Sequence, residues 1–157
     1  MLEKRRRVLG EEHPDTLLTA GNLASTLSHQ GKYAEAERIE REVLGVRRRV
    51  LGEEHPSTLT SATNLAASLW GQGKHAEAER IRREVLSAER RVLGEEHPDT
   101  LMSAANLASS LWSNGKHEEA EEMLQAALAA RRRVLGSAHP DTLATVKIGR
   151  ASCRERV

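Results

Sequence analysis

Residues 10–51 read Gly10-Glu-Glu-His13-Pro14-Asp-Thr-Leu17-Leu-Thr-Ala-Gly-Asn22-Leu-Ala-Ser-Thr-Leu27-Ser-His-Gln-Gly31-Lys-Tyr33-Ala-Glu-Ala36-Glu-Arg-Ile39-Glu-Arg-Glu-Val43-Leu-Gly-Val46-Arg-Arg-Arg-Val50-Leu51. Laid without gaps over residues 52–93, this stretch is identical at 29 of 42 positions. His-Pro returns at 13/14, 55/56, 97/98 and 139/140, 42 residues apart each time, and accounts for all four prolines. A fixed period of this length marks a stack of repeats, each too small to bury its own apolar face alone.

Each repeat reads as two helices. The first opens at Pro14, whose missing N–H is not needed at a helix start, with Asp15 and Asp99 complementing the N-terminal dipole. It runs to about Gln30 and stops at Gly31, with Gly73 and Gly115 equivalent. Leu17, Ala20, Leu23, Ala24 and Leu27 fall on one face and form the expected core side. The second runs from about Tyr33 to Leu51, with Ala36, Ile39, Val43, Val46 and Val50 in register. Ala24 and Ala36 are small where the pair should cross closest. The expected fold is all-α, a right-handed α-solenoid of stacked antiparallel helix pairs.

Composition agrees and excludes other classes. The 157 residues hold no Phe and only three aromatics, Tyr33, Trp70 and Trp112, so a core built on large rings is ruled out. A net charge of +1 offers no strong field for nucleic acid or an anionic membrane. The lone Cys153 excludes a disulfide framework and a Cys-based zinc site. No run is apolar enough for a signal peptide or membrane span, which leads to the expectation of a cytoplasmic chain. No phosphate loop, nucleophile elbow or His-Glu-x-x-His motif is present, and repetition offers no single asymmetric site, so no enzyme, metal or cofactor is expected.

The run Asn22-Leu-Ala-x-x-Leu-x-x-Gln-Gly-Lys-Tyr33-x-Glu-Ala36 resembles the tetratricopeptide repeat (TPR). Leu-Gly-Glu-Glu-His-Pro-Asp-Thr-Leu with the 42-residue period is similar to the kinesin light chain subtype, although Leu27, Leu69 and Leu111 stand where a large aromatic is usual. On this resemblance residues 1–9 end a preceding second helix, 10–51, 52–93 and 94–135 are three whole repeats, and 136–146 open a truncated fourth. The chain then begins and ends in mid-repeat, which points to a piece of a longer array. Residues 147–157, Lys-Ile-Gly-Arg-Ala-Ser-Cys-Arg-Glu-Arg-Val, break the pattern and resemble the translation of a common short-read sequencing adapter; a natural disordered tail is the alternative. On the adapter reading Cys153 is foreign, and removing four positive charges and one negative turns +1 into −2.

The first two first helices differ mostly on one stripe, at positions 18, 21, 25, 28 and 29, which the asparagine common to all three repeats, Asn22, also joins. This stripe spans roughly 20° to 140° on a helical wheel, against roughly 240° to 360° for the core set. The resemblance implies that this face lines a concave groove for an extended peptide, with Asn22, Asn64 and Asn106 bonding the ligand backbone; a hydrogen bond that merely holds the framework is the alternative. Leu18, Gly21, Ser25, His29, Thr60, Thr63, Met102, Ala105 and Ser109 complete the candidate groove. Trp70 and Trp112 either face the ligand or pack as plain structure, and few charges with two tryptophans suggest apolar or aromatic ligand anchors.

His13, His55, His97 and His139 lie too far apart to share an ion and are expected to fix the entry into each helix. His75 and His117, in the place of Tyr33, are expected to pack. The Arg triplets at 5–7, 47–49 and 131–133, fanned around a helix near Glu11, Glu12, Glu53 and Glu54, read as solvated mixed-charge surface and not as a nucleic-acid site. The expected function is a scaffold binding a protein or peptide partner, with end-to-end self-association through uncapped terminal repeats as a further mode. A sensor arm within a larger nucleotide-binding signalling protein is the alternative.

Overall fold

The computed structural model of the chain describes the backbone of residues 1–154 and the side chains of residues 1–147. These described residues form eight helices and no strand: α1 (Leu2–Leu9), α2 (Pro14–His29), α3 (Tyr33–Leu51), α4 (Pro56–Gly71), α5 (His75–Val92), α6 (Pro98–Ser113), α7 (His117–Leu135) and α8 (Pro140–Arg154). Contacts gather into two units, Met1–Ile81 and Arg82 onward, divided within α5.

Punctuation in the sequence sets the helix ends. The imidazole Nδ1 of His13 accepts the Asp15 N–H at 3.2 Å, and His55, His97 and His139 do the same for Ser57, Asp99 and Asp141. Each histidine thus takes the N-cap role usual for Ser, Thr or Asp, with proline as the first helical residue. At the far end of α3, Gly52 has φ 95° and ψ 164°, a conformation essentially reserved for glycine.

In the first unit α2 packs on α3, and α3 in turn packs on α4. Leu2, Leu17, Ala20, Ala24, Ala36, Ile39 and Val43 form one core, with Leu27 and Val46 against it. Ala24 and Ala36 have no exposed surface at all. Two expected core residues lie elsewhere. Leu23 is 39% exposed, whereas its equivalents Leu65 and Leu107 are buried. The two-turn α1 reaches α2 near Asp15 and Thr19 but is too short to run alongside Leu23, while α4 has the whole of α3 beside it. Val50 is 53% exposed because it lies in the last turn of α3, past the stretch that faces α2. In the second unit α6 packs on α7, and Leu86, Ala104, Leu107, Leu111, Ala120 and Ala127 form the core. A cleft of about 370 Å³ opens among α5, α6 and α7, floored by Leu101, Ala104, Met123 and Ala127. Ala127 and Ala130 stand there where residues 43 and 46 are valines. Helix α8 continues to Arg154, past Val146 where the repeat pattern stops; with no proline after Pro140, a helix already nucleated can propagate. The expected tail beyond Arg154 lies outside the described residues.

A second helix also reaches under the first helix that follows it. Arg47 donates to the Ser57 carbonyl at 2.9 Å and the Ser61 hydroxyl at 2.7 Å. Arg5 and Arg131 make the same pair of bonds to Asp15 and Thr19, and to Asp141 and Thr145. The leading arginine of each triplet is therefore tucked inward, not solvated as expected, because its long stem covers apolar surface while its head meets a carbonyl and a hydroxyl. Position 89 breaks the pattern with Glu89, which is buried. Seven residues earlier the charges are exchanged: Glu40 is buried near Ser68, and Arg82 donates to the Asn106 carbonyl at 3.1 Å and to the Ser110 hydroxyl. Each of these two seams, α3 on α4 and α5 on α6, thus holds one arginine and one glutamate in opposite order.

Burial pushes the carboxyls of Glu40 and Glu89 above the ordinary carboxylate value of 4.5, with the neighbouring hydroxyls of Ser68 and Ser103 offsetting this in part. One oxygen of each has no hydrogen-bond partner. A folded-state pKa above the unfolded one favours the fold below the unfolded value, and that benefit is lost as pH rises through the raised value. The double variant Glu40→Gln, Glu89→Gln should therefore gain stability over the native chain as pH rises from about 4 to about 7. Urea midpoints measured across that range check this; parallel curves would show that neither carboxyl titrates abnormally.

Candidate interaction surface

The first helices differ from the second ones in chemistry as well as position. Among Asp, Glu, Lys and Arg, α2 carries only Asp15, α4 none and α6 only Asp99, while α3 and α5 carry nine each and α7 seven. The second-helix charges are laced together within each unit. Arg6 meets Glu42, Arg41 meets Glu77 and Arg83 meets Glu119, each at 2.7 Å, while Arg49 meets Glu12 and Arg133 meets Glu96. Such exposed pairs are individually weak, so their lacing orders a surface more than it stabilises one. Glu37 is held more firmly. Burial alone would raise its carboxyl, but hydrogen bonds from Lys74, Gln72 and Arg41 outweigh that and hold it at about 2.

In the first unit the candidate stripe runs along α2 and α4. Leu18 is 54% exposed, Asn22, His29 and Thr60 are exposed, and Gly21, Ser25, Thr63 and Asn64 are half-buried. The two threonine hydroxyls are occupied by their own helices: Thr60 donates to the Pro56 carbonyl and Thr63 to that of Leu59. The His29 ring bonds the Ser25 carbonyl at 2.7 Å. In the second unit α6 presents Met102, 49% exposed, with Asn106 and Ser109 half-buried. Ala105, expected on this face, is buried and offers it no surface. Among the described residues the side-chain amides of Asn22, Asn64 and Asn106 make no hydrogen bond within the chain; the bonds at Asn22 and Asn106 are to their backbone carbonyls.

The tryptophans sit at the turn between helices. Trp70 lies edge-on to His75, ring centroids 4.2 Å apart, and Trp112 meets His117 at 4.3 Å. Both indoles are half-buried, so each ring braces the turn into its own repeat's second helix. A sequence signal for this existed: Trp and His occur together at 70/75 and 112/117 and are replaced together by Ser28 and Tyr33 in the first repeat. There Tyr33 takes a different neighbour, Gly71, where an added Cβ would meet its ring at 2.5 Å. The Arg47–Ser61 and Arg82–Ser110 bridges were likewise missed, although the exchange of Glu40 and Arg47 for Arg82 and Glu89 marks a coupled pair of positions.

The tetratricopeptide repeat family matches residues 16–57, 41–88, 58–133 and 100–146. The chain belongs to the tetratricopeptide repeat family. Its structure is close to kinesin light chain-like TPR repeats. A Podosopora anserina kinesin light chain protein with nearly identical TPR-like repeats superposes with a TM-score of 0.86 at 29% identity, over 98% of this chain and 72% of that one. A second crystal structure of that protein gives 0.84 with the same identity and coverage. BtubC (BKLC) of P. vanneervenii has the same fold, with a TM-score of 0.80 at 24% identity over 90% of this chain and 57% of its own. No curated protein matches the sequence. TPR repeats are generally protein-interaction modules and typically non-catalytic. No helix among the described residues is long and apolar enough to cross a membrane.

Free amides on an exposed face contribute little to the fold, and alanine is the better helix former. The triple variant Asn22→Ala, Asn64→Ala, Asn106→Ala should keep its melting temperature or rise slightly. A fall equivalent to more than about 1 kcal/mol per site would mean that the amides hold the framework after all.

Proposed function

We propose that the chain is a protein-interaction scaffold that takes an extended peptide segment of a partner on its first-helix faces. The observation that carries this reading is the return of an unengaged asparagine, Asn22, Asn64 and Asn106, at one position of each repeat. An amide offers two donors and an acceptor, which suits the alternating N–H and C=O groups of an extended backbone. Leu18 and Met102 add exposed apolar surface beside it. Trp70 and Trp112 stand near the C-terminal ends of α4 and α6, each against a histidine.

The second-helix side supports no rival reading of comparable weight. Arg6, Arg41, Arg47 and Arg131 are engaged with carboxylates, carbonyls or hydroxyls, and no aromatic interleaves the arginines to stack on bases. Short random peptides displayed on phage and panned against the full chain provide the ligand. Peptides so selected should lose at least about tenfold in affinity to the triple asparagine variant, measured by calorimetry. Equal affinity for the variant and the native chain would overturn the reading.

A further inference from the structure

The charge segregation described above constrains what can lie on the first-helix faces. Resting on the peptide-binding reading, we propose that the accepted segment is uncharged over the stretch that lies along the helices: aliphatic, Ser/Thr or Asn/Gln side chains, with Asp, Glu, Lys and Arg excluded. A charged side chain laid on α2, α4 or α6 would lose water and gain no opposite charge from the face. Unpaired charge withdrawn from water is strongly disfavoured.

Several nearby cations are committed elsewhere, and Lys32 lies past the end of α2. Arg5 and Arg47 are bound beneath α2 and α4 to carbonyls and hydroxyls, and Arg82 is bound in the same way beneath α6. Lys74, at the turn after α4, is paired with Glu37 at 2.7 Å. Asp15 and Asp99 stand in the first turns, at one end of their helices. The hydroxyls of Thr60 and Thr63 bond their own helices, and the open hydrogen-bonding groups, the asparagine amides among them, are neutral. Neutral amides and exposed aliphatic groups, Leu18 on α2 and Met102 on α6, select a neutral partner by the same chemistry that rejects a charged one.

The test uses the same panning of short random peptides against the full chain, followed by affinities at low and high salt. Selected peptides should be depleted in Asp, Glu, Lys and Arg relative to the library and depend on the asparagines. Their Kd should change less than about twofold between about 50 mM and about 500 mM NaCl. Placing one Glu or one Lys at the centre of a selected peptide should weaken it by about tenfold or more. Peptides that depend on the asparagines yet are enriched in acidic or basic residues, or weaken more than about tenfold with salt, would overturn the inference and leave the peptide-binding reading standing. Peptides indifferent to the asparagine substitutions, or no selected peptide at all, would overturn both.

Discussion

The full burial of small residues between paired helices is the constraint on which the rest of the fold depends. Ala24, Ala36, Ala66, Ala78, Ala108 and Ala120 have no exposed surface at all. Helix axes separate by roughly 8–10 Å according to the side chains at the contact, and the smallest ones give the closest approach. At that spacing leucine and valine on either side, such as Leu17, Ile39 and Val43, fill the space between the helices without voids. A larger residue at the crossing would push the pair apart and loosen every contact along it.

A second helix has neighbours on two sides, and its two faces are built differently. The face toward its own partner is apolar, as Ala36, Ile39 and Val43 show on α3. The face toward the following helix mixes Leu44 with the buried Glu40 and the inward-turned Arg47. Serine hydroxyls make this mixture tolerable, because a hydroxyl can accept from an arginine or donate to a carboxylate. The two seams can therefore carry Arg and Glu in opposite order over the same Ser61/Ser103 and Ser68/Ser110 positions.

Helix number, order and ends were legible in the sequence because each boundary is written chemically: His-Pro at the start, glycine at the stop, and an exact 42-residue period linking them. Periodicity also placed Ala24 and Ala36 in the core, where both are fully buried. It could not tell which apolar positions have a neighbour to cover them, so Leu23 and Val50 were assigned to a core that only their equivalents or neighbours join. Charge in a run of three was read as surface, since a sequence does not reveal that one arginine of the three points at the next helix's first turn. Of the candidate face, the asparagine stripe and the variable positions were legible by comparing repeats. The burial of Ala105 and the bracing of each indole by a histidine depend on packing, which a helical wheel leaves out.

The interchangeable seams bear on how such an array can change length. Loss of residues 52–93 by recombination between near-identical repeats would bring α3 against α6, with Glu40 opposite Ser110 and Arg47 opposite Ser103. Both charges would find the same hydroxyls they have now. Whole-repeat gain or loss thus creates a junction that meets each buried arginine and glutamate with the hydroxyl it has now, so a change of copy number leaves the chemistry of the seam unaltered.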